Sequence, residues 1–202
     1  MKKVILGTVA LSLVVSSVAL AAPLAKLEQG KGKIDASLSL GASLKDEAHG
    51  EKIDLGGKTR YRAGATYGLG NNLGLDYVYA SNAGDRDSSV QSHQINLMYQ
   101  LNNYITAFGG YVYNKAEVGG WNNNTNGYQV GLQGRMDLAP RTVGWAKFGI
   151  GNTITQYELG VGYDLTHNWE ANLFYNDSKY KDFDDDTNMK THNVNLGVSY
   201  KF

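Results

Sequence analysis

The chain has 202 residues, with 19 basic and 19 acidic side chains and no cysteine. Without cysteine it has neither a disulfide framework nor thiol chemistry. Zero net charge without a basic stripe excludes the electrostatic footprint of a nucleic-acid binder. The 25 glycines and 14 tyrosines against 2 prolines suit a chain built from many strands.

The first three residues are Met1-Lys2-Lys3, and Val4 to Ala22 carries no charge. With Ala19 and Ala21 as small residues, this reads as a signal peptide over 1–21, cleaved after Ala21. No later apolar run is long enough for a membrane helix. Residues 22–33 have no clean period and read as a short periplasmic lead-in. The first predicted strand is 34–44, with Ile34, Ala36, Leu38, Leu40 and Ala42 on one face. Asp35, Ser37, Ser39, Gly41 and Ser43 lie on the other. Residues 45–57 contain seven charged or histidine positions between Lys45 and Asp54 and read as a charged loop.

A pattern then repeats: Tyr67 to Leu73, Tyr99 to Tyr104, Met136 to Arg141 and Tyr163 to Trp169. Each has a large residue, then Leu, then a tight turn of Asn, Gly or Pro type, which tolerates the backbone of short hairpins. Repetition of this kind is one hairpin reused. The remaining connections, about 45–57, 82–91, 114–127, 151–155 and 177–191, are mostly longer and polar. Short turns on one side and longer loops on the other is the asymmetry of a transmembrane barrel. Further strands fall at 58–69, 73–81, 92–101, 104–113, 128–138, 143–150, 156–165, 169–176 and 192–202. With 34–44 they make an all-β fold, a single antiparallel up-and-down barrel of ten strands over 34–202, short turns periplasmic and longer loops extracellular. Eight strands is the alternative, because the fifth and seventh strands have no unambiguous face.

The predicted outward face carries Tyr61, Tyr67, Tyr79, Tyr157, Tyr163, Trp169 and Tyr175 near strand ends, with small aliphatics between. Such rings belong at a membrane interface. The last strand alternates strictly, with Val194, Leu196, Val198, Tyr200 and the terminal Phe202 on one face. This tail resembles the terminal strand of Gram-negative outer-membrane β-barrels, which the assembly machinery reads in that class. The chain over 34–202 resembles the small barrels of the opacity and attachment-invasion type, and small porin-like proteins. That resemblance implies an outer-membrane location and contact with lipid and lipopolysaccharide.

The inward face is predicted to carry Arg60, Arg62, Asp76, Arg135, Lys147, Glu158 and Glu170, with Gly41, Gly64, Gly68, Gly74, Gly131, Gly160, Gly162 and Gly197. Two readings stand. The glycines leave a narrow channel lined by charges, giving a porin-like passage for ions or small solutes. Alternatively they relieve crowding while the charges pair into a plug, giving a closed structural or adhesion barrel. A symmetric hairpin about residues 152–153 places Lys147 opposite Glu158 as an ion pair on the lumen face, and turns Trp145 inward. The histidines, His49, His93, His167 and His192, match no protease or lipase signature, so no enzyme, cofactor or metal site is expected. The acidic run Asp182 to Asp186 reads as a solvated loop without calcium-loop spacing.

Overall fold

Period-two alternation becomes eleven strands in the computed structural model, which describes residues 22–48, 51–58, 60–85, 87–183 and 187–202. They are β1 (Gly32–Ala48), β2 (Glu51–Asp54), β3 (Tyr61–Gly70), β4 (Leu73–Ala83), β5 (Ser89–Gln100), β6 (Ile105–Val118), β7 (Trp121–Ala139), β8 (Thr142–Gly151), β9 (Ile154–Asp164), β10 (Trp169–Tyr180) and β11 (Asn188–Lys201). Every neighbouring pair is antiparallel. The lower half of β1 pairs with β3 from Gly32↔Tyr67 to Leu38↔Tyr61. On its other edge β1 pairs with β11 from Lys33↔Lys201 to Glu47↔Asn188. That second ladder closes the ring, so ten strands form the barrel, while β2 folds back on the top of β1. Closure leaves the ten-strand ring without an open edge, which a membrane requires.

The periplasmic turns follow the predicted repeat. Asn71 and Asn72 both take positive φ, 53° and 63°, the backbone of the hairpin turn whose twist matches its strands. In the next turn Asn102 Oδ1 accepts from the amides of Tyr104 and Ile105. Thr166 Oγ1 caps the last turn in the same way, accepting from Trp169 N at 3.0 Å.

The extracellular side differs from expectation. Much of the predicted loops 45–57, 114–127 and 177–191 is strand. β6 and β7 run past the membrane to a two-residue turn at Gly119 and Gly120, joined by Val118↔Trp121. The ladder continues because the inner face of this extension still has apolar groups to cover, Val112 and Ala116 being fully buried. The first strand also departs from pure alternation. A β-bulge between Ser39 and Gly41 shifts the pairing with β11. Gly41 is therefore exposed rather than inward, and Leu44 turns into the lumen with no exposure. Beyond a bulge the faces exchange.

The outer wall is an apolar band. Leu75, Leu97, Leu132, Leu159, Leu173 and Leu196 all point outward and are exposed. A continuous band of this kind suits lipid, since soluble monomers rarely expose contiguous apolar patches of such extent. Rings border it above and below. On the extracellular side Tyr61 meets Tyr79 at 5.9 Å, Tyr79 meets His93 at 4.8 Å, and Tyr157 meets Tyr175 at 6.0 Å. On the periplasmic side Trp169 meets Tyr200 at 5.1 Å, and Arg141 lies 5.1 Å above the Tyr163 ring. Tyr67 also faces outward at this level. In the terminal strand Val194, Leu196, Tyr200 and Phe202 are exposed on the outer face, and Val198 is half-buried between Ala36 and Ala171.

Candidate functional site

The inner face converges on the lumen, which is filled at three levels. The top level is apolar: Leu44, Leu55, Val90, Val112, Ala116, Ile154, Tyr180, Phe183 and Met189 form one buried cluster, with Val118 and Trp121 packed against it. Phe183 enters from the last extracellular loop. Its neighbour Asp182 is exposed, and residues 184–186 of the acidic run lie outside the described residues.

The middle level is polar and paired. Arg62 Nη2 binds Glu158 Oε1 at 2.5 Å. Lys147 Nζ stands 3.8 Å from Asp76 Oδ2 and 4.9 Å above the Phe108 ring. Asp76 also accepts from Thr66 Oγ1 at 3.0 Å and from Asn96 Nδ2 at 3.2 Å. Lys147 and Glu158 are direct cross-strand partners on β8 and β9, as expected. The expected ion pair between them is corrected: each finds its counter-charge across the lumen. Arg60, from the segment before β3, donates to Asn193 Oδ1. Gln129 Nε2 donates to Gln94 Oε1 at 3.0 Å and to Asn96 Oδ1 at 2.8 Å, and Gln156 Nε2 donates to both Gln94 and Gln129 at 2.9 Å. Buried charges are costly unless paired and hydrogen-bonded; Arg62 with Glu158 and Lys147 with Asp76 meet that need by pairing, while Arg60 is held by Asn193 alone among the described residues.

The bottom level is aromatic and closed by the chain's own N-terminal segment. Trp145 and Phe174 meet at 5.4 Å, and Ala22 and Val143 pack with them. Leu27 packs with Met98, Phe108 and Leu24. Within the segment 22–33, expected as a lead-in, Ala22, Leu24 and Leu27 pack into the lower mouth of the barrel, residues 28–31 are exposed, and Gly32 and Lys33 already belong to β1. Glycine makes the room. A Cβ on Gly68 would stand 2.1 Å from the Glu28 carbonyl oxygen, and one on Gly74 would meet Leu27 at 2.9 Å. One on Gly160 would strike Phe174 at 2.6 Å and Trp145 at 2.8 Å. Between Lys147, Glu158, Asp76 and Pro23 a cavity of about 20 Å³ is left, the space of about one water.

Glu170 is buried at the periplasmic end, with its Oε2 2.6 Å from Lys201 Nζ. Arg135 is half-buried at the same rim, donating to Pro23 O at 3.0 Å and pairing with the exposed Asp137 at 3.1 Å. Sequence reasoning missed Phe108, Phe174, the three glutamines and the N-terminal segment as lumen contents. Extending the alternation through β5, β6 and β10 would have turned the rings and the Gln94 side chain inward. The run of inward glycines on β3 and β4 marked where another segment approaches.

Two histidines face outward among rings. Tyr77 Oη is 2.9 Å from His93 Nδ1, and Tyr175 Oη is 3.3 Å from His192 Nδ1, which also contacts Asp177. His167 lies in a periplasmic turn, and His49 lies outside the described residues. No group of three or more His, Cys, Asp or Glu that could hold a metal ion occurs among the described residues. On the extracellular extension, Lys115 lies 2.6 Å from Glu117, and hydrogen bonding to that carboxylate raises Lys115 above the usual lysine range.

A closed ring of ten antiparallel strands with a continuous apolar band outside and its polar groups held within defines a transmembrane β-barrel. Residues 9–202 match the family described as Outer membrane protein beta-barrel domain. The chain belongs to this family, and its place is the bacterial outer membrane. Neisserial surface protein A is similar in structure, at 16% identity and a TM-score of 0.49, covering 86% of this chain and 100% of that one. Ail, the attachment invasion locus protein of Yersinia pestis, has 17% identity and a TM-score of 0.41, with 86% and 99% covered. Outer membrane protease OmpT from Escherichia coli has 10% identity and a TM-score of 0.54, with 86% and 97% covered. At these identities the likeness is one of fold. No curated protein sequence matches the chain.

Proposed function

We propose that this protein is a closed outer-membrane barrel whose work is done on its outer surfaces and extracellular strand extensions, rather than a passive channel. The observation that carries this reading is the three-level filling of the lumen, whose polar middle layer leaves about 20 Å³ between Asp76, Lys147, Glu158 and Pro23. Of the inward charges that support a conducting lumen, Arg62 pairs with Glu158, Lys147 with Asp76, Arg135 with Asp137 and Glu170 with Lys201, and Arg60 is held by Asn193, so they serve the interior as a network rather than as a lining. Conductance of the purified, refolded protein in planar bilayers tests this directly. The expected result is a silent bilayer; stable, reproducible current steps would restore the passive channel for ions or small solutes.

The outer rim suggests where lipopolysaccharide is met. Lys45, Lys190 and Lys179 stand in one row on β1, β11 and β10, paired Lys45↔Lys190 and Lys179↔Lys190. Like charges directly opposite destabilise a sheet. Glu47, 3.0 Å from Lys179, and Asp177, 4.0 Å from Lys190, offset part of this. Anionic phosphates at the membrane surface would offset the rest.

A further inference from the structure

We infer that the lumen contains an ammonium site, formed by Asn172 and Glu170, whose ligand is the α-amino group that cleavage after Ala21 creates on Ala22. The inference rests on that cleavage. The N-terminal segment then becomes a plug set in place by processing.

Ala22 is only 1% exposed, deep in the lower lumen against Val143, Trp145 and Phe174. Its nitrogen donates to Asn172 Oδ1 at 3.3 Å. Near that acceptor stands a carboxylate with spare capacity. Glu170 is buried, and its Oε1 has no hydrogen-bond partner among the described residues. The two acceptors converge over the α-carbon of Gly162: a Cβ there would meet Asn172 Oδ1 at 2.8 Å and Glu170 Oε1 at 2.9 Å. Glycine keeps that cradle open.

Charge gives the same answer. Lys201 Nζ lies 2.6 Å from both Asp164 and Glu170, so one cation serves two carboxylates. A buried carboxylate oxygen left without a donor is costly. An amide nitrogen offers one proton and no charge. An ammonium offers three protons and the missing positive charge, and charge-assisted hydrogen bonds are the strong ones.

Downstream residues hold the segment by its backbone. Lys33 Nζ donates to Ala22 O at 2.6 Å, and Arg135 Nη1 to Pro23 O at 3.0 Å. Gln100 binds both Ala25 O, at 2.8 Å, and the Leu27 amide, at 3.0 Å. These contacts fix the register that delivers the first mature residue to Asn172.

The test uses the protein matured in a Gram-negative outer membrane. Intact mass first locates the mature start. A start elsewhere removes the ligand and overturns the cleavage reading together with the inference. With a start at Ala22, the folded protein is treated with an amine-acylating reagent at neutral pH and mapped by mass spectrometry. The expected result is an Ala22 amine protected about tenfold or more relative to urea-unfolded protein, as for a group reached only by local opening. The exposed Lys26 serves as the internal reactivity control. Asn172→Ala and Glu170→Gln should each lose most of that protection, and two residues inserted between Ala21 and Ala22 should leave the new terminus reactive. Heat-modifiable electrophoresis reports that each variant is folded. If Glu170→Gln does not fold, Asn172→Ala decides alone. An Ala22 amine that reacts as fast folded as unfolded, or protection unchanged in the folded variants, overturns the inference and leaves the cleavage reading intact.

Discussion

Lys147 and Glu158 face each other across the β8–β9 ladder, yet neither is the other's ion-pair partner: Arg62 takes Glu158 at 2.5 Å, and Asp76 takes Lys147 at 3.8 Å. The charges therefore tie β3 to β9 and β4 to β8 across the bore. Cross-lumen pairing braces the ring against ovalisation in a way that a same-hairpin pair would not.

Glu158→Gln removes the counter-charge of a buried guanidinium. Breaking such a pair from one side costs about 3–5 kcal/mol. The urea midpoint of the folded, heat-modifiable form should fall, while bilayer conductance stays absent. Lys147→Met should cost less, because its contact is longer and a methionine thioether can take the place of its Nζ over the Phe108 ring.

Gly160→Leu puts a side chain where Phe174 and Trp145 already stand, and overpacking of this kind costs about 1–3 kcal/mol. Gly41→Ala is the control, since nothing lies within 4 Å of its Cβ position. Thermal unfolding should separate the two variants clearly; equal loss would mean that the lower aromatic layer is loosely packed.

Deleting Phe202, or placing Asp at Val198, should block insertion. The first removes the residue that the assembly machinery is expected to read. The second places a carboxylate on the lipid face at a cost of up to about 3 kcal/mol. Normal outer-membrane levels of both variants would separate assembly from this tail.

Lys190→Glu reverses the centre of the lysine row. Co-purifying lipopolysaccharide, measured by phosphate content, should drop, whereas Lys26→Glu at the periplasmic mouth should leave it unchanged. Equal retention in both variants would remove the rim as the contact.

The outward half of this barrel was legible in the sequence because lipid imposes a single demand, an apolar side chain at every second position. The short turns were legible because Asn71 and Asn72 have few alternatives at positive φ. The Lys147–Glu158 register followed from one short hairpin. What escaped were features without a period. The bulge at Ser39/Gly41 turns Leu44 inward, and nothing local in Ser-Leu-Gly announces it. The strand extensions through 114–127 are rich in asparagine and look like loop, and the ladder beneath them overrides that composition. The lumen contents escaped because an inward glycine signals that space is needed without naming its occupant; for Gly68 and Gly74 the occupants, Glu28 and Leu27, lie 40 and 47 residues earlier in the chain.

The seam between β1 and β11 has a further consequence. Ser39 Oγ donates to Asn195 Oδ1 at 2.9 Å, joining residues 156 positions apart. Closing a loop of that size costs on the order of 4 kcal/mol in chain entropy, and the first contact of the seam bears nearly all of it. Each rung added afterwards comes almost free of that cost. Sealing should therefore behave as a single zipping event, and a chain that lacks β11 would gain none of it in part: nine strands would remain a curled sheet with two raw edges rather than a slightly weaker barrel.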